Sequence, residues 1–278
     1  MSRTLQCCTA WVTLLLSLTR AAQPPNIVMI LADDLGWHDV SYHGSDQIPT
    51  PNIDVLAMDG VVLANNYVQP LCTPSRAALL TGYYPIHTGT QHSSFRSAQP
   101  VGLDPDLKLL PEYLKDLGYS THMVGKWHLG FSKDEYKPIN RGFDTFYGPF
   151  FLYFAPTAVH CGGLNDSLQA PKEYVAKYAY LGDYDRQIFA GSLAELDNAV
   201  GAIVEALYKS GLLNNTIIGF STDNGGAPVG YSRNTSPNWP LRGSKGTVAE
   251  GGVRGPGFLW TPWLATRAKA TRQLFHIT

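Results

Sequence analysis

Asp33-Asp34 and Asp223-Asn224 are the residues of this chain best suited to hold a metal ion. They offer three carboxylates and an amide oxygen, with no thiolate among them. That set suits a hard divalent cation, calcium or magnesium, and makes a poor zinc site. Either pair alone reads equally well as turn and cap chemistry; what favours a metal is that each directly follows a buried-looking strand. Three cations, Arg76, Lys126 and Lys245, lie in short Gly- or Pro-bounded segments of a chain that is only 15% charged. Gathered around a metal, they would form a pocket for a tetrahedral oxyanion, where low local dielectric makes each charge effective. His128 and His160 could donate protons to a leaving oxygen there. Cys72 stands where a loop enters a helix: Pro74 suits the first helical turn and Gly82 the stop. At a helix N-terminus the thiol reads as a low-pKa thiolate nucleophile, or else as a small buried hydrophobe, the commoner fate of cysteine. Trp127 and Trp239 read as packing residues.

These groups need strands and helices to bring them together. Residues 26–32 form a near-continuous apolar run, as a strand buried on both faces requires. Similar runs occupy 120–124, 150–155 and 216–221. Between them the pattern predicts helices over 53–58, 74–81, 110–117 and 191–209. The last carries Leu193, Leu196, Val200, Ile203, Val204 and Leu207 on one face before Ser210-Gly211 ends it. Strands alternating with helices imply an α/β fold with a mostly parallel sheet covered on both sides. Parallel strands exit on one rim, where ligands of such sheets bind. Asp33-Asp34, Lys126-Trp127-His128, the approach to His160 and Asp223-Asn224 all follow strand exits, so they converge on one crevice.

Several motifs, taken together, resemble a known family. Cys72-Thr-Pro-Ser-Arg76 followed by Ala-Ala-Leu-Leu-Thr-Gly is similar to the sulfatase signature C-x-P-S-R with its trailing L-L-T-G. Gly125-Lys-Trp-His-Leu-Gly130 resembles the second sulfatase signature. The wording around Asp33-Asp34 and through Asn238-Trp-Pro-Leu-Arg-Gly-Ser-Lys245-Gly-Thr resembles the arylsulfatase B-like (N-acetylgalactosamine-4-sulfatase-like) branch. The resemblance runs from about Pro25 to the last residue. It implies an alkaline-phosphatase/sulfatase-like fold, a mostly parallel mixed sheet flanked by helices. It implies that Cys72 is oxidised to formylglycine by a generating enzyme during secretion. The aldehyde hydrate would attack sulfur with one hydroxyl and expel sulfate when the other loses its proton, two easier steps in place of one. Asp33, Asp34, Asp223 and Asn224 would hold one Ca²⁺ facing residue 72, acting as a Lewis acid. Arg76 would support the hydrate, Lys126 and Lys245 would neutralise sulfate oxygens, His128 would assist elimination, and His160 would stand near the leaving oxygen. The implied substrates are aryl sulfates or sulfated glycans, in particular the 4-sulfate of N-acetylgalactosamine in glycosaminoglycans.

The remainder of the chain sets the context. Its 278 residues are 44% hydrophobic and 12% aromatic, enough for a large core. With 21 Lys+Arg against 22 Asp+Glu, the formal charge of −1 leaves no basic footprint for nucleic acid. Residues 1–22 carry Arg3, an apolar run from Trp11 to Leu18, and small residues at Ala21-Ala22. This pattern suits a secretory leader and is too short for a membrane span. Removing it takes Cys7 and Cys8 away and leaves Cys72 and Cys161, too few for a disulfide scaffold. Sequons at Asn165, Asn214 and Asn234 agree with the secretory route, to lysosome or exterior. The catalytic domain is expected over 23–278, and it departs from the family in two places. Gly148 is followed directly by Pro149-Phe150, where the arylsulfatase B-like branch inserts several tens of residues. The chain also stops where relatives continue into a smaller C-terminal domain. A parallel neighbour needs a crossover of about a dozen residues or more. After so short a link the 150–155 strand is expected to be misplaced or to expose its edge. Two other functions stay open: an inactive, secreted sulfatase-like fragment, and an alkaline-phosphatase-like phosphoester hydrolase.

Overall fold

Side-chain alternation along the apolar runs explains the architecture. The computed structural model describes residues 23–96, 99–144, 149–162, 168–230 and 232–278; the expected leader and the Asn165 sequon lie outside these. Strand β1 (Asn26–Ala32) sends Val28, Ile30 and Ala32 into one core cluster and Leu31 into another. On β4 (Phe150–Ala155), Phe151, Tyr153 and Ala155 face the second cluster while Phe150, Leu152 and Phe154 pack on the first. A strand with period-two side chains and apolar residues on both faces must be covered twice. Helices α1 (Pro51–Asp59) and α6 (Tyr184–Lys209) pack against the first cluster, and α2 (Cys72–Thr81) and α4 (Leu110–Asp116) against the second. Short α3 (Pro85–Thr88), α5 (Lys172–Lys177) and α7 (Glu250–Val253) complete the helices among the described residues.

The sheet has seven strands in the order β3-β4-β1-β5-β6-β2-β7, with β2 at Val61–Tyr67, β3 at Ser120–Gly125, β5 at Thr216–Thr222, β6 at Gly257–Trp260 and β7 at Lys269–His276. Strands β3, β4, β1 and β5 run parallel; β6 is antiparallel to β5 and β2, and β7 is parallel to β2. The sheet is therefore mixed and mostly parallel, as expected. Ala32 is paired with Thr222, and the Asp223 N–H donates to the Ala32 carbonyl at 3.0 Å, so the two acidic pairs leave the sheet side by side.

The expectation for the 150–155 strand is overturned. β4 is paired on both sides, with Phe151 opposite Thr121 of β3 and Ile27 of β1, and β3 forms the sheet edge. Residues 126–149, rather than the short link after Gly148, make the crossover from β3, and their length meets the parallel requirement. α6 begins seven residues before the predicted start because the Asp183 side chain caps it, accepting from the Arg186 N–H at 2.8 Å.

Candidate active site

Cys72 is the first residue of α2, and its thiol lies 3.8 Å from Asp33 Oδ1 and 3.9 Å from Asp34 Oδ1. It is 2% exposed. Burial, together with Asp223, Asp33 and Asp34, pushes the thiol well above the usual cysteine range. The reading of Cys72 as a low-pKa thiolate is thereby corrected: three carboxylates outweigh the helix N-terminus, and the unmodified side chain stays a protonated, buried thiol.

Asp33, Asp34, Asp223, Asn224 and Arg76 are all fully buried. The Arg76 guanidinium donates to Asp223 Oδ2 from Nε at 3.1 Å and from a terminal nitrogen at 2.7 Å, and lies 3.6 Å from Asp33 Oδ1. It also donates to the Lys126 carbonyl at 3.0 Å and faces the Tyr153 hydroxyl at 3.4 Å. Lys126 Nζ reaches Asp33 at 2.7 Å, and Lys245 Nζ reaches Asp34 at 2.5 Å. Burial works against the Asp33 carboxylate, but Lys126 and Arg76 outweigh it and hold its pKa below the usual value. In the same way burial opposes the charge on Lys126 and Lys245, yet Asp33 and Asp34 push both ammonium pKa values upward. His160 Nε2 stands 3.6 Å from Asp34.

Every expected site residue except His128 and Asn224 is joined to another by one of these contacts. Candidate ligand atoms of Asp33, Asp34, Cys72 and His160 lie within 4.8 Å of one another. Asn224 donates to Asp34 Oδ1 at 2.7 Å, and its own Oδ1 is buried with no partner among the described residues. A buried amide oxygen without a donor is costly, and a cation would satisfy it. Asp34 is bonded to the same amide and Asp223 precedes it in the chain, an oxygen donor set that fits a hard divalent ion, although the Asp223 carboxylate is not within the 4.8 Å group formed by Asp33, Asp34, Cys72 and His160. Asp223 turns one oxygen to Arg76 and accepts the Asp34 N–H on the other at 3.2 Å.

His128 has the left-handed backbone (φ 60) and donates from Nε2 to the Phe95 carbonyl at 2.7 Å, leaving Nδ1 buried with no partner among the described residues. Burial and then Lys126 lower its pKa to about 4. At neutral pH His128 is therefore an uncharged imidazole with its proton on Nε2. Gly125 precedes Lys126 with φ 105, and a Cβ there would run into the Ala155 carbonyl. This close approach places the Lys126 carbonyl on Arg76 and its N–H on Ala155, at 2.7 Å.

Sequence reasoning missed three residues that shape the site. Ser75 donates to the Asp223 carbonyl and accepts the Gln69 N–H, tying α2 to the end of β5. Tyr153 looks like core in an apolar strand, although its hydroxyl meets Arg76. Asn234, read as a glycosylation sequon, is fully buried, with both amide hydrogens bonded to carbonyls of Asp34 and Val159; it is not open to modification in this fold. Asn214, the acceptor of another sequon, is exposed. Trp127 packs as expected, donating to the Tyr136 carbonyl at 2.8 Å. Trp239 does not: it is 68% exposed and touches His38 edge-on.

The sulfatase family model matches residues 25–148 and 148–277. The chain is 40% identical to arylsulfatase J of Mus musculus over 94% of its own length and 52% of that protein. It is 32% identical to N-acetylgalactosamine-6-sulfatase of Homo sapiens, over 92% of this chain and 60% of that one. It thus spans between half and two thirds of these curated relatives. Among solved structures it is similar to Ps i-CgsB in complex with a neocarrahexaose, at 30% identity and TM-score 0.84, covering 92% of this chain and 70% of that one. It is also similar to a sulfatase from Pseudoalteromonas sp., at 26% identity and TM-score 0.75, covering all of this chain and 70% of that one.

Proposed function

The chain belongs to the sulfatase family, and we propose that it hydrolyses sulfate monoesters of a sulfated glycan. The observation that carries this reading is the convergence of Asp33, Asp34, Arg76, Lys126, Lys245 and His160 around a buried Cys72 at the start of α2. Asp33, Asp34, Asp223 and Asn224 would hold Ca²⁺, which when bound polarises a sulfate oxygen as a Lewis acid. Cys72, converted to formylglycine by the generating enzyme of the secretory pathway, supplies the nucleophilic oxygen.

The remaining residues act on the ester directly. Lys126 and Lys245, held on Asp33 and Asp34, are placed to turn their ammonium groups onto sulfate oxygens. A single donor to a developing oxyanion is worth about 2.7–4 kcal/mol in other enzymes. Arg76, bonded to Asp223 through two guanidinium nitrogens, fixes the floor of the pocket. His128, neutral with a bare Nδ1, takes the proton whose loss releases sulfate. His160 stands at the entrance side of Asp34, near the leaving oxygen.

For the substrate we keep the 4-sulfate of N-acetylgalactosamine. The names of the relatives support a sulfated sugar and include a 6-sulfatase, so the position of the ester is what the assay must resolve. Secretory export to lysosome or exterior, with residues 1–22 as leader and 23–278 as one shortened catalytic domain, completes the proposal; among the described residues no helix is long and apolar enough to cross a membrane.

The test uses protein exported from a secretory host. Peptide mass analysis of the Cys72 segment should find the aldehyde, and an aryl sulfate should be cleaved with calcium and not with a chelator. Release of sulfate from N-acetylgalactosamine 4-sulfate should exceed release from the 6-sulfate. An aldehyde-bearing, calcium-loaded protein without turnover defeats the reading. Faster cleavage of the matched aryl phosphate favours a phosphoester hydrolase instead.

A further inference from the structure

We propose that Asn234 is a positioning residue that holds Asp34 and His160 in register through their backbones, and that its sequon therefore carries no glycan in the folded protein. The inference rests on the site reading given above and adds a residue that no signature motif contains. The Asn234 amide is completely buried and fully used. Its Nδ2 donates to the Asp34 carbonyl at 3.0 Å and the Val159 carbonyl at 2.8 Å, and its Oδ1 accepts from the N–H groups of Ala227 at 3.1 Å and Ser236 at 3.2 Å. Two carbonyls on one side and two N–H groups on the other fix the orientation of the amide.

Both carbonyls belong to unusual backbone. Asp34 has φ 58 and Val159 has φ 68, and neither is glycine. A β-branched residue in the left-handed region persists only when its surroundings hold it. Asp34 is a ligand of the proposed cation site, and His160 follows Val159 directly, with its Nε2 3.6 Å from the Asp34 carboxylate. One side chain from the loop after β5 thus clamps the two left-handed turns that aim these groups, one after β1 and one after β4. N-linked sugar would replace an Nδ2 hydrogen, and both hydrogens are committed. Glycosylation there and assembly of the site exclude one another.

Trypsin should release residues 234–242 as one peptide, because Arg233 and Arg242 flank it and the internal sequence has no other basic residue. Glycosidase treatment in heavy-oxygen water, followed by mass analysis of the folded, exported wild type, should show label at Asn214 and none at Asn234. A glycan on Asn234 in that fraction overturns the proposal, whether or not the protein turns over substrate. Two variants test positioning. Asn234→Asp keeps the acceptor and loses both donations; Asn234→Ala loses both functions. Each is read by calcium titration calorimetry well below its melting temperature, and by kcat and KM on an aryl sulfate. Both variants should bind calcium at least tenfold more weakly than wild type and lose at least tenfold in kcat. Val159→Gly combined with Asn234→Ala should recover part of the loss, since glycine occupies the left-handed region without strain. Wild-type calcium affinity in folded Asn234→Ala, or no recovery in the double variant, overturns the positioning role. A wild type that binds no calcium defeats the sulfatase reading itself, and the positioning role with it.

Discussion

Replacing Arg76 with methionine should cost the fold about 3–5 kcal/mol, the usual penalty for removing one partner of a buried ion pair. Here the penalty has a definite source. Asp223 is fully buried and receives two guanidinium contacts on Oδ2, at 2.7 and 3.1 Å. Among the described residues its other oxygen accepts the Asp34 N–H. Asp33 keeps Lys126 as a partner, so the orphaned charge in the variant is that of Asp223. At about 2–4 °C per kcal/mol for a domain of this size, the loss should lower the melting temperature by about 6–20 °C. Arg76→Lys keeps a charge but not the planar fork that spans Asp223, the Lys126 carbonyl and Tyr153, and should fall between the two. Circular dichroism melts at pH 7, with urea titrations to check that the slope is unchanged, provide the measurement. A methionine variant melting within about 2 °C of wild type would refute the claim that Asp223 depends on the guanidinium.

Other expectations follow from the same geometry. Calcium at about a hundredfold over its dissociation constant should add about 2.7 kcal/mol to stability, read as a rise in melting temperature that a chelator reverses; no shift would remove the cation from the Asn224 cradle. His43 donates from Nδ1 to the Trp37 carbonyl at 2.9 Å while its Nε2 is buried with no partner among the described residues. Burial lowers its pKa from 6.5 to about 4. A histidine depressed in the folded state contributes stability that is complete above pH 6.5 and lost as pH falls toward about 4. The loss approaches about 3 kcal/mol at 1.36 kcal/mol per unit, and His43→Gln should flatten the acid limb of a urea-midpoint profile between those values. Gly125→Ala should cost at least about 2 kcal/mol, combining left-handed strain with a clash on the Ala155 carbonyl, and should weaken turnover by displacing Lys126; normal melting and kinetics would show that β3 yields there freely.

How far the sequence disclosed this structure depends on what each segment buries. β1, β4 and β5 were legible because a strand covered on both faces leaves an unbroken apolar run. β2 was not, since Asn65-Asn66 reads as a turn; in the fold Asn66 is buried and donates to Ser221 Oγ at 2.9 Å. β6 has four residues, and β7 is a largely exposed edge strand with no hydrophobic period. The candidate site residues Asp33, Asp34, Lys126, Asp223 and Asn224 were legible because strand exits of a parallel sheet share a rim. Ser75, Tyr153 and Asn234 escaped because they act through backbone carbonyls or buried contacts that only tertiary proximity creates. The thiol was misjudged for a related reason: the helix end is visible in the chain, whereas the three carboxylates around it are assembled from distant segments.

The pairing of β1 with β5 has a consequence for biosynthesis. Asp34 and Asn224 are 190 positions apart in the chain yet joined by one hydrogen bond, so half of the cation cradle emerges from the ribosome long after the other half. No nascent intermediate lacking β5 can possess the cradle, and closing so long a loop is among the slowest events in folding. Under the proposed function, ion capture would thereby be a late checkpoint, reporting that β1 and β5 have paired.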